Sequence, residues 1–335
     1  MLYLSSAAAS ATTKTAFQNG VQQRTFIKGA LMSLATTAYS AVAPSIELAN
    51  KMERNEVHSV KSANEIELEK MDQKKKLLGI LPKSFERPTK LYPNHIPLYN
   101  YEKLMLFFGS SIGAFLHPER NEFIVALGES TATTGFLTRL RNDMLDDPVG
   151  RQILKDRPYI TSDYLNLEKL SKYPEGSFGK CYYDWLIREH CSPDERVDVK
   201  FIDDEELAFV FQRYRQCHDF YHALVGIPVF REGEIALKFF EYLNIGVPFA
   251  GLGALFAPWN VKKAVERERL FKVYYPWALR NAYHCKKNLI NVYWEKIMEK
   301  NVNDIRRELN IELPPDMRTL RKQYKKTHKV KPLGV

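Results

Sequence analysis

The sequence predicts a mainly α fold: a single helical domain carrying a metal site on a helical hairpin. Three observations carry that expectation. Two-residue apolar alternation is scarce across the 335 residues, so strands are not expected. Glycines and prolines fall mostly between segments of helical length. One segment, 203–225, has a full set of helix start and stop signals around a cluster of metal-ligand side chains.

Residues 1–33 read as a mitochondrial transit peptide. Ser, Thr and Ala dominate, Lys14, Arg24 and Lys28 supply positive charge, and no acid appears before Glu47. That is the composition of a matrix-targeting leader and not of a secretory signal. The uncharged stretch 29–46 is short and broken by Gly, Pro and hydroxyl residues, which makes it a poor membrane span. Residues 34–80 form a charged linker, partly helical or disordered, with Lys74, Lys75 and Lys76 at its basic end.

A helical domain is expected over 81–315. Pro82, Pro88, Pro93 and Pro97 argue for extended, turn-rich chain at its start. Helices are expected over 102–116, 120–127 and 131–144, with a break at Asp147-Pro148. Asp203 or Asp204 can cap the next long helix, Glu205 and Glu206 suit its positive first turn, and Gly226 with Pro228 ends it. A second helix should begin near Phe230. Residues 242–261 then carry no charge, but Pro248, Pro258 and three glycines fragment them. They read either as buried core or as an apolar wall that dips into a membrane interface. Residues 316–335 form a basic C-terminal tail.

The chemistry lies in 216–234, QCHDFYHALVGIPVFREGE, which spells His-Asp-x-x-His-x11-Glu. At about 100° per residue, His218, Asp219 and His222 fall within an arc of roughly 100° on one helix. Glu234, in the first turns of the following helix, comes beside the last turns of the first. Two imidazoles with one or two carboxylates suit zinc or, alternatively, iron. Phe211, Tyr214, His218, Tyr221 and Val225 share helical core spacing, so the histidines point inward. A buried imidazole or carboxylate needs a partner, and a metal supplies one, although a structural histidine pair has the same spacing. Cys217 is offset by about 100° from His218, which favours packing over ligation. His190 and His284 lie outside the motif.

The formal net charge of +9 is confined to the ends. Residues 1–46 contribute +3 and residues 318–335 contribute +7, which leaves the body near neutral at −1. No nucleic-acid motif accompanies the basic end, so an anionic membrane surface or an acidic partner is the better counterpart. Cys181, Cys191, Cys217 and Cys285 show no CxxC spacing, as expected of reduced thiols in a non-secretory compartment.

The motif resembles that of the coenzyme Q (ubiquinone) biosynthesis family with the HDxxH-x11-E zinc signature, the fourth coenzyme Q biosynthesis protein. The likeness extends to 91–103 (LYPNHIPLYNYEK), 126–136 (ALGESTATTGF), 144–154 (MLDDPVGRQIL), 174–182 (PEGSFGKCY) and 275–280 (YPWALR), roughly 85–300 in all. The leader marks the chain as similar to fungal mitochondrial members. The resemblance implies C1-decarboxylation of a 4-hydroxy-3-methoxy-5-polyprenylbenzoate, oxidative if coupled to hydroxylation. It also implies organisation of the multi-enzyme ubiquinone complex, peripheral on the matrix side of the mitochondrial inner membrane. The alternative is a non-catalytic scaffold that binds polyprenyl lipid. His218, His222 and Glu234 are the expected ligands. Asp219 is a fourth ligand or a proton-handling group, and Asp219 and Glu234 are the catalytic candidates. Arg215 can pair with the substrate carboxylate, or with Glu234 or Glu241. A His…His-Asp…Asp phosphohydrolase is disfavoured, because the next aspartate after Asp219 is Asp304.

Overall fold

The structure is a computed structural model that describes residues 87–118 and 120–329. The expected transit peptide (1–33) and charged linker (34–80) lie outside these residues, as do the last six residues of the basic tail. The described chain is mainly α, as expected, and no β-strand occurs among the described residues. The described residues form two compact units.

The smaller unit comprises 87–90 and 96–130. Ile96 and Leu98 are buried in extended chain ahead of α1, Asn100–Leu116. The first turn of α1 is closed by Glu102, whose Oε2 accepts from the Tyr99 N–H at 2.9 Å while Arg87 donates to Oε1 at 3.0 Å. Helix α2, Asn121–Thr131, meets α1 where Gly113 faces the Phe123 ring. A Cβ on Gly113 would lie 2.4 Å from that ring, so only glycine allows this approach.

Among the described residues, the larger unit holds Leu91–His95 and 131–329. Helix α3 (Thr134–Asp146) runs almost directly into α4 (Pro148–Asp156). Asp147 explains both the break and the restart. Its carboxylate accepts from the Val149 and Gly150 N–H groups, and Pro148 fills the first helical position, where no N–H is needed. Short helices α5 (Ser162–Leu165) and α6 (Leu167–Ser171) lead to α7, Phe178–Glu189.

Helix α8, Glu205–Val225, is buried along most of its length and packs against α3 and α7. Arg213, fully buried within it, is neutralised by Glu295 and also donates to the Val292 carbonyl at 3.1 Å. An aromatic cluster of Phe178, Tyr182, Phe220 and Trp294 fills the adjoining core. Helix α9, Arg231–Ile245, packs on α10 (Pro248–Phe256) and α12 (Tyr275–His284). Helix α11, Ala264–Arg269, joins α12 through a π-helical turn at Leu270–Tyr274. Pro276 accounts for that turn, because its ring cannot follow an ordinary α-helical turn without a clash. Helix α13 spans Val302–Leu309.

The expected basic tail begins as a helix, α14, Met317–Lys329. Arg318 NH2 donates to both carboxylate oxygens of the buried Glu189 at 2.7 and 2.8 Å, and both Arg318 and Arg321 lie over the Phe230 ring. No helix among the described residues is long and apolar enough to cross a membrane.

Candidate metal centre

The site is built where α8 ends and α9 begins. Asp204 caps α8 through Leu207 N–H at 2.8 Å, and Gly226, at φ 68°, terminates it in the left-handed conformation. Five residues later Arg231 opens α9, and Gly233 lies so close to the intervening turn that a Cβ would sit 2.1 Å from the Pro228 carbonyl oxygen. This tight corner presents Tyr214, His218 and His222 of α8 to Glu234, Lys238 and Glu241 of α9. The pairing runs from His222–Glu234 at the corner to Tyr214–Glu241 away from it, the order of two helices running in opposite directions.

Both imidazoles are held from behind. The Ile227 carbonyl accepts from His222 Nδ1 at 2.9 Å and also from the Trp185 indole at 3.2 Å, while Trp185 stacks on the His222 ring. A carbonyl can only accept, so the His222 proton is on Nδ1 and the Nε2 lone pair faces inward. Glu241, fully buried, takes His218 Nδ1 at 2.5 Å, Lys238 Nζ at 2.9 Å and the Tyr214 hydroxyl at 2.7 Å. With both Nδ1 atoms engaged, both Nε2 atoms turn toward Glu234.

Two imidazole nitrogens and both oxygens of Glu234 converge there. The two Nε2 atoms are 3.2 Å apart, His218 Nε2 lies 3.3 Å from Glu234 Oε2, and His222 Nε2 lies 3.1 Å from Glu234 Oε1. Among the described residues, His218, His222 and Glu234 form a cluster able to hold a metal ion. Ligands at about 2.0–2.1 Å from a tetrahedral ion lie roughly 3.3 Å from one another. The two imidazole contacts reach different oxygens of Glu234, but each of the three separations is near that spacing, so the donor set fits a small divalent ion. Lone-pair atoms this close repel unless a cation or a proton lies among them.

The electrostatics suit ligation. Burial pushes the Glu234 carboxyl up, but the neighbouring histidines outweigh it and hold the pKa well below the ordinary glutamate range. Burial likewise pushes Glu241 up, yet Lys238 and His218 bring it to about 2. Burial and Lys238 pull His218 down, but Glu241 and Glu234 raise it above its ordinary value. Both carboxylates are therefore ionised at neutral pH, and His218 is the more basic for it.

Asp219 is placed differently. Its side chain is buried, and Oδ1 accepts from Arg196 NH2 at 2.5 Å, so it stands outside the three converging groups. Glu234 and Glu241, the carboxylates considered for Arg215, are engaged by the histidines and Lys238. Cys217 is buried, and desolvation lifts its thiol to about 12, as suits packing. Arg196, Lys238 and Glu241 were not assigned to the site from sequence. Lys238 and Glu241 do carry a signal, since they follow Glu234 at i+4 and i+7 on one helical face.

The family model described as Coenzyme Q (ubiquinone) biosynthesis protein Coq4 matches residues 92–315. Three relatives are each named a mitochondrial ubiquinone biosynthesis protein COQ4. That of Komagataella phaffii is 55% identical over 308 residues, covering 92% of this chain and 97% of the relative. That of Scheffersomyces stipitis is 50% identical over 305 residues, covering 90% and 91%. That of Debaryomyces hansenii is 54% identical over 277 residues, covering 83% of each. The family match spans the helices that build the corner and the three converging ligands, and the chain belongs to the coenzyme Q (ubiquinone) biosynthesis protein Coq4 family.

Proposed function

We propose that the chain acts in mitochondria as a metal-dependent decarboxylase of ubiquinone biosynthesis. It removes the C1 carboxylate of a 4-hydroxy-3-methoxy-5-polyprenylbenzoate, oxidatively if hydroxylation is coupled. The observation that carries this reading is the convergence of His218, His222 and Glu234 at ligand spacing, with both rings fixed from behind. Zinc, or alternatively iron, is the ion these groups suit. Such an ion supplies Lewis acidity toward a carboxylate or phenolic oxygen.

The chain's own residues do the rest. His218, His222 and Glu234 hold the site, and Glu241 and the Ile227 carbonyl orient the rings. Carbon dioxide leaves C1 while a proton is delivered to that ring carbon. Glu234, kept ionised, serves as a ligand. Asp219 is the fourth ligand or the proton-handling group. Arg196 joins Arg215 as a candidate partner for the substrate carboxylate. Its Nε is buried without a hydrogen-bond partner, and one edge of its guanidinium is fixed by Asp219. Burial pulls the Arg196 pKa down, but Asp219 and Glu234 raise it above its ordinary value, so both lie within its field.

The same reading places the chain peripherally on the matrix face of the inner membrane, among the other ubiquinone-biosynthesis enzymes. The test is turnover of the prenylated benzoate by purified, metal-analysed protein, with and without oxygen. Carbon dioxide release in proportion to bound metal supports the decarboxylase. Folded, metal-loaded protein that binds the lipid without turnover would replace it with the non-catalytic scaffold. Asp219→Asn separates that residue's two roles, because a fourth ligand lowers metal content and a proton-handling group lowers turnover alone.

A further inference from the structure

We propose that the outer face of α10, with the turn after it, docks on an anionic phospholipid bilayer. The inner side of this segment is ordinary core, with Phe249, Ala250, Ala254 and Pro258 buried. Its outer side leaves Leu255, Phe256 and Trp259 exposed by 62%, 49% and 68%. Phe271, also exposed, lies edge-on to Tyr275 at 5.3 Å, and the Tyr275 hydroxyl donates to the Ala254 carbonyl. The apolar surface is thus continuous from α10 to the π turn. It continues along α12 at four-residue steps through Leu279 and Tyr283, both exposed. Scattered exposed apolar residues are normal, whereas six sharing one side mark a contact surface.

The charge around this face selects the occupant. Lys262, Lys263, Lys272 and Arg280 are exposed at its edge. Residues 246–284 contain six Lys or Arg against two carboxylates, Glu266 and Glu268. Both carboxylates are already paired, Glu266 with Lys263 and Arg321, and Glu268 with Lys272. Arg321 belongs to α14, which extends the positive rim with the exposed Lys322, Lys325 and Lys326. A second copy docked here through a two-fold axis would set this rim against itself. An anionic bilayer instead takes the apolar side chains below its headgroups, the indole at the interface and the lysines on its phosphates.

The opposite end of the same helix touches the candidate metal centre. Phe249 packs edge-on to Tyr214 at 6.0 Å and lies under Lys238 Nζ at 5.1 Å. Nine helical residues span roughly 13 Å. One short helix therefore joins the bilayer contact to the site, a benefit for a prenylated substrate that rests on the function proposed above. The bilayer contact itself does not.

The test is co-sedimentation of the full chain with phosphatidylcholine vesicles, with and without one-third phosphatidylglycerol. The unsubstituted protein should sediment with the anionic vesicles only. Phe256→Glu/Trp259→Glu and Lys262→Gln/Lys263→Gln should each weaken that partition at least tenfold, with helical circular dichroism and metal content unchanged. Anionic-vesicle binding that survives the aromatic double substitution overturns the proposal. So does absence of vesicle binding, and light scattering showing dimers that the substitutions dissolve would then identify the face as a self-contact. Turnover of detergent-dispersed substrate by the same proteins separates the two readings, because its absence removes the decarboxylase and leaves vesicle binding standing.

Discussion

Glu241→Gln tests whether the ligand geometry depends on the carboxylate behind His218. The substitution keeps the shape of a fully buried side chain and removes its charge. Three donors now point at Glu241: His218 Nδ1, Lys238 Nζ and the Tyr214 hydroxyl. A glutamine oxygen accepts at most two of them, and its NH2 then faces the third. Breaking a buried ion pair costs about 3–5 kcal/mol. Lys238 is 16% exposed and can turn toward water, and two of three contacts survive, so about 2 kcal/mol is the expected loss. That corresponds to a fall in Tm of roughly 4–8 °C for a domain of this size. Orienting partners of ligating histidines are worth about 10- to 100-fold in metal affinity. The assay pairs thermal unfolding with a competitive chelator titration. A lower Tm with metal affinity within twofold of the parent protein would refute the reasoning, since Glu241 would then be only a core ion pair.

Three further outcomes follow from other parts of the corner. Gly233→Ala should destabilise, although glycine-to-alanine inside a helix normally gains about 1 kcal/mol. The added Cβ meets the Pro228 carbonyl oxygen at 2.1 Å and Ile227 Cγ2 at 2.9 Å, an overpacking that costs about 1–3 kcal/mol. Because the Ile227 carbonyl holds His222, urea unfolding and metal content should both fall, and a gain in stability contradicts the account. Arg196→Leu should cost about 2–3 kcal/mol by leaving Asp219 buried and unpaired, and Arg196→Leu/Asp219→Leu should recover most of it. Additive losses in that cycle would show the pair to be uncoupled. Finally, burial pushes Glu189 up, but Arg318 and Arg188 hold its pKa below the ordinary value. This contribution is complete above the unfolded glutamate pKa and disappears as the pH falls through the lower folded one, below about pH 4. Limited proteolysis with an acid-active protease should find α14 docked at pH 5 and released near pH 3; release at pH 5 would argue that another contact sets the docking.

Where the sequence was informative, the reason is that the deciding contacts are local. His218 and His222 are one helical turn apart, and the caps at Asp204 and Gly226 fix where their helix starts and stops. Glu234 needed only a short turn to reach them. The partners behind the ligands were harder to read for a different reason. Glu-x3-Lys-x2-Glu on a helix is also the pattern of a solvated face, and only burial distinguishes Glu241 from a surface charge. Arg196 reaches Asp219 from a separate segment, so no spacing announces it. The tail shows the same limit. Its run of cations without an acid reads as solvated chain, yet Arg318 finds the buried Glu189, and Arg321 lies near Glu232 and Glu266.

The uncharged stretch 242–261 carries the contrast furthest. Its hydropathy is high on every side of α10, so periodicity cannot separate Phe249 and Ala254, which are buried, from Leu255, Phe256 and Trp259, which are not. In a helix whose two faces are both apolar, the inner face is named by the core it meets. The outer face is named by what remains exposed once that core is closed. Here that remainder is a tryptophan-bearing surface ringed by lysines, and it shares a nine-residue helix with the aromatic contact to Tyr214 and Lys238. The site and the surface are thus two ends of one element, and a change at one end can be tested at the other. Trp259→Glu should leave metal affinity intact while lowering turnover of bilayer-embedded substrate relative to detergent-dispersed substrate.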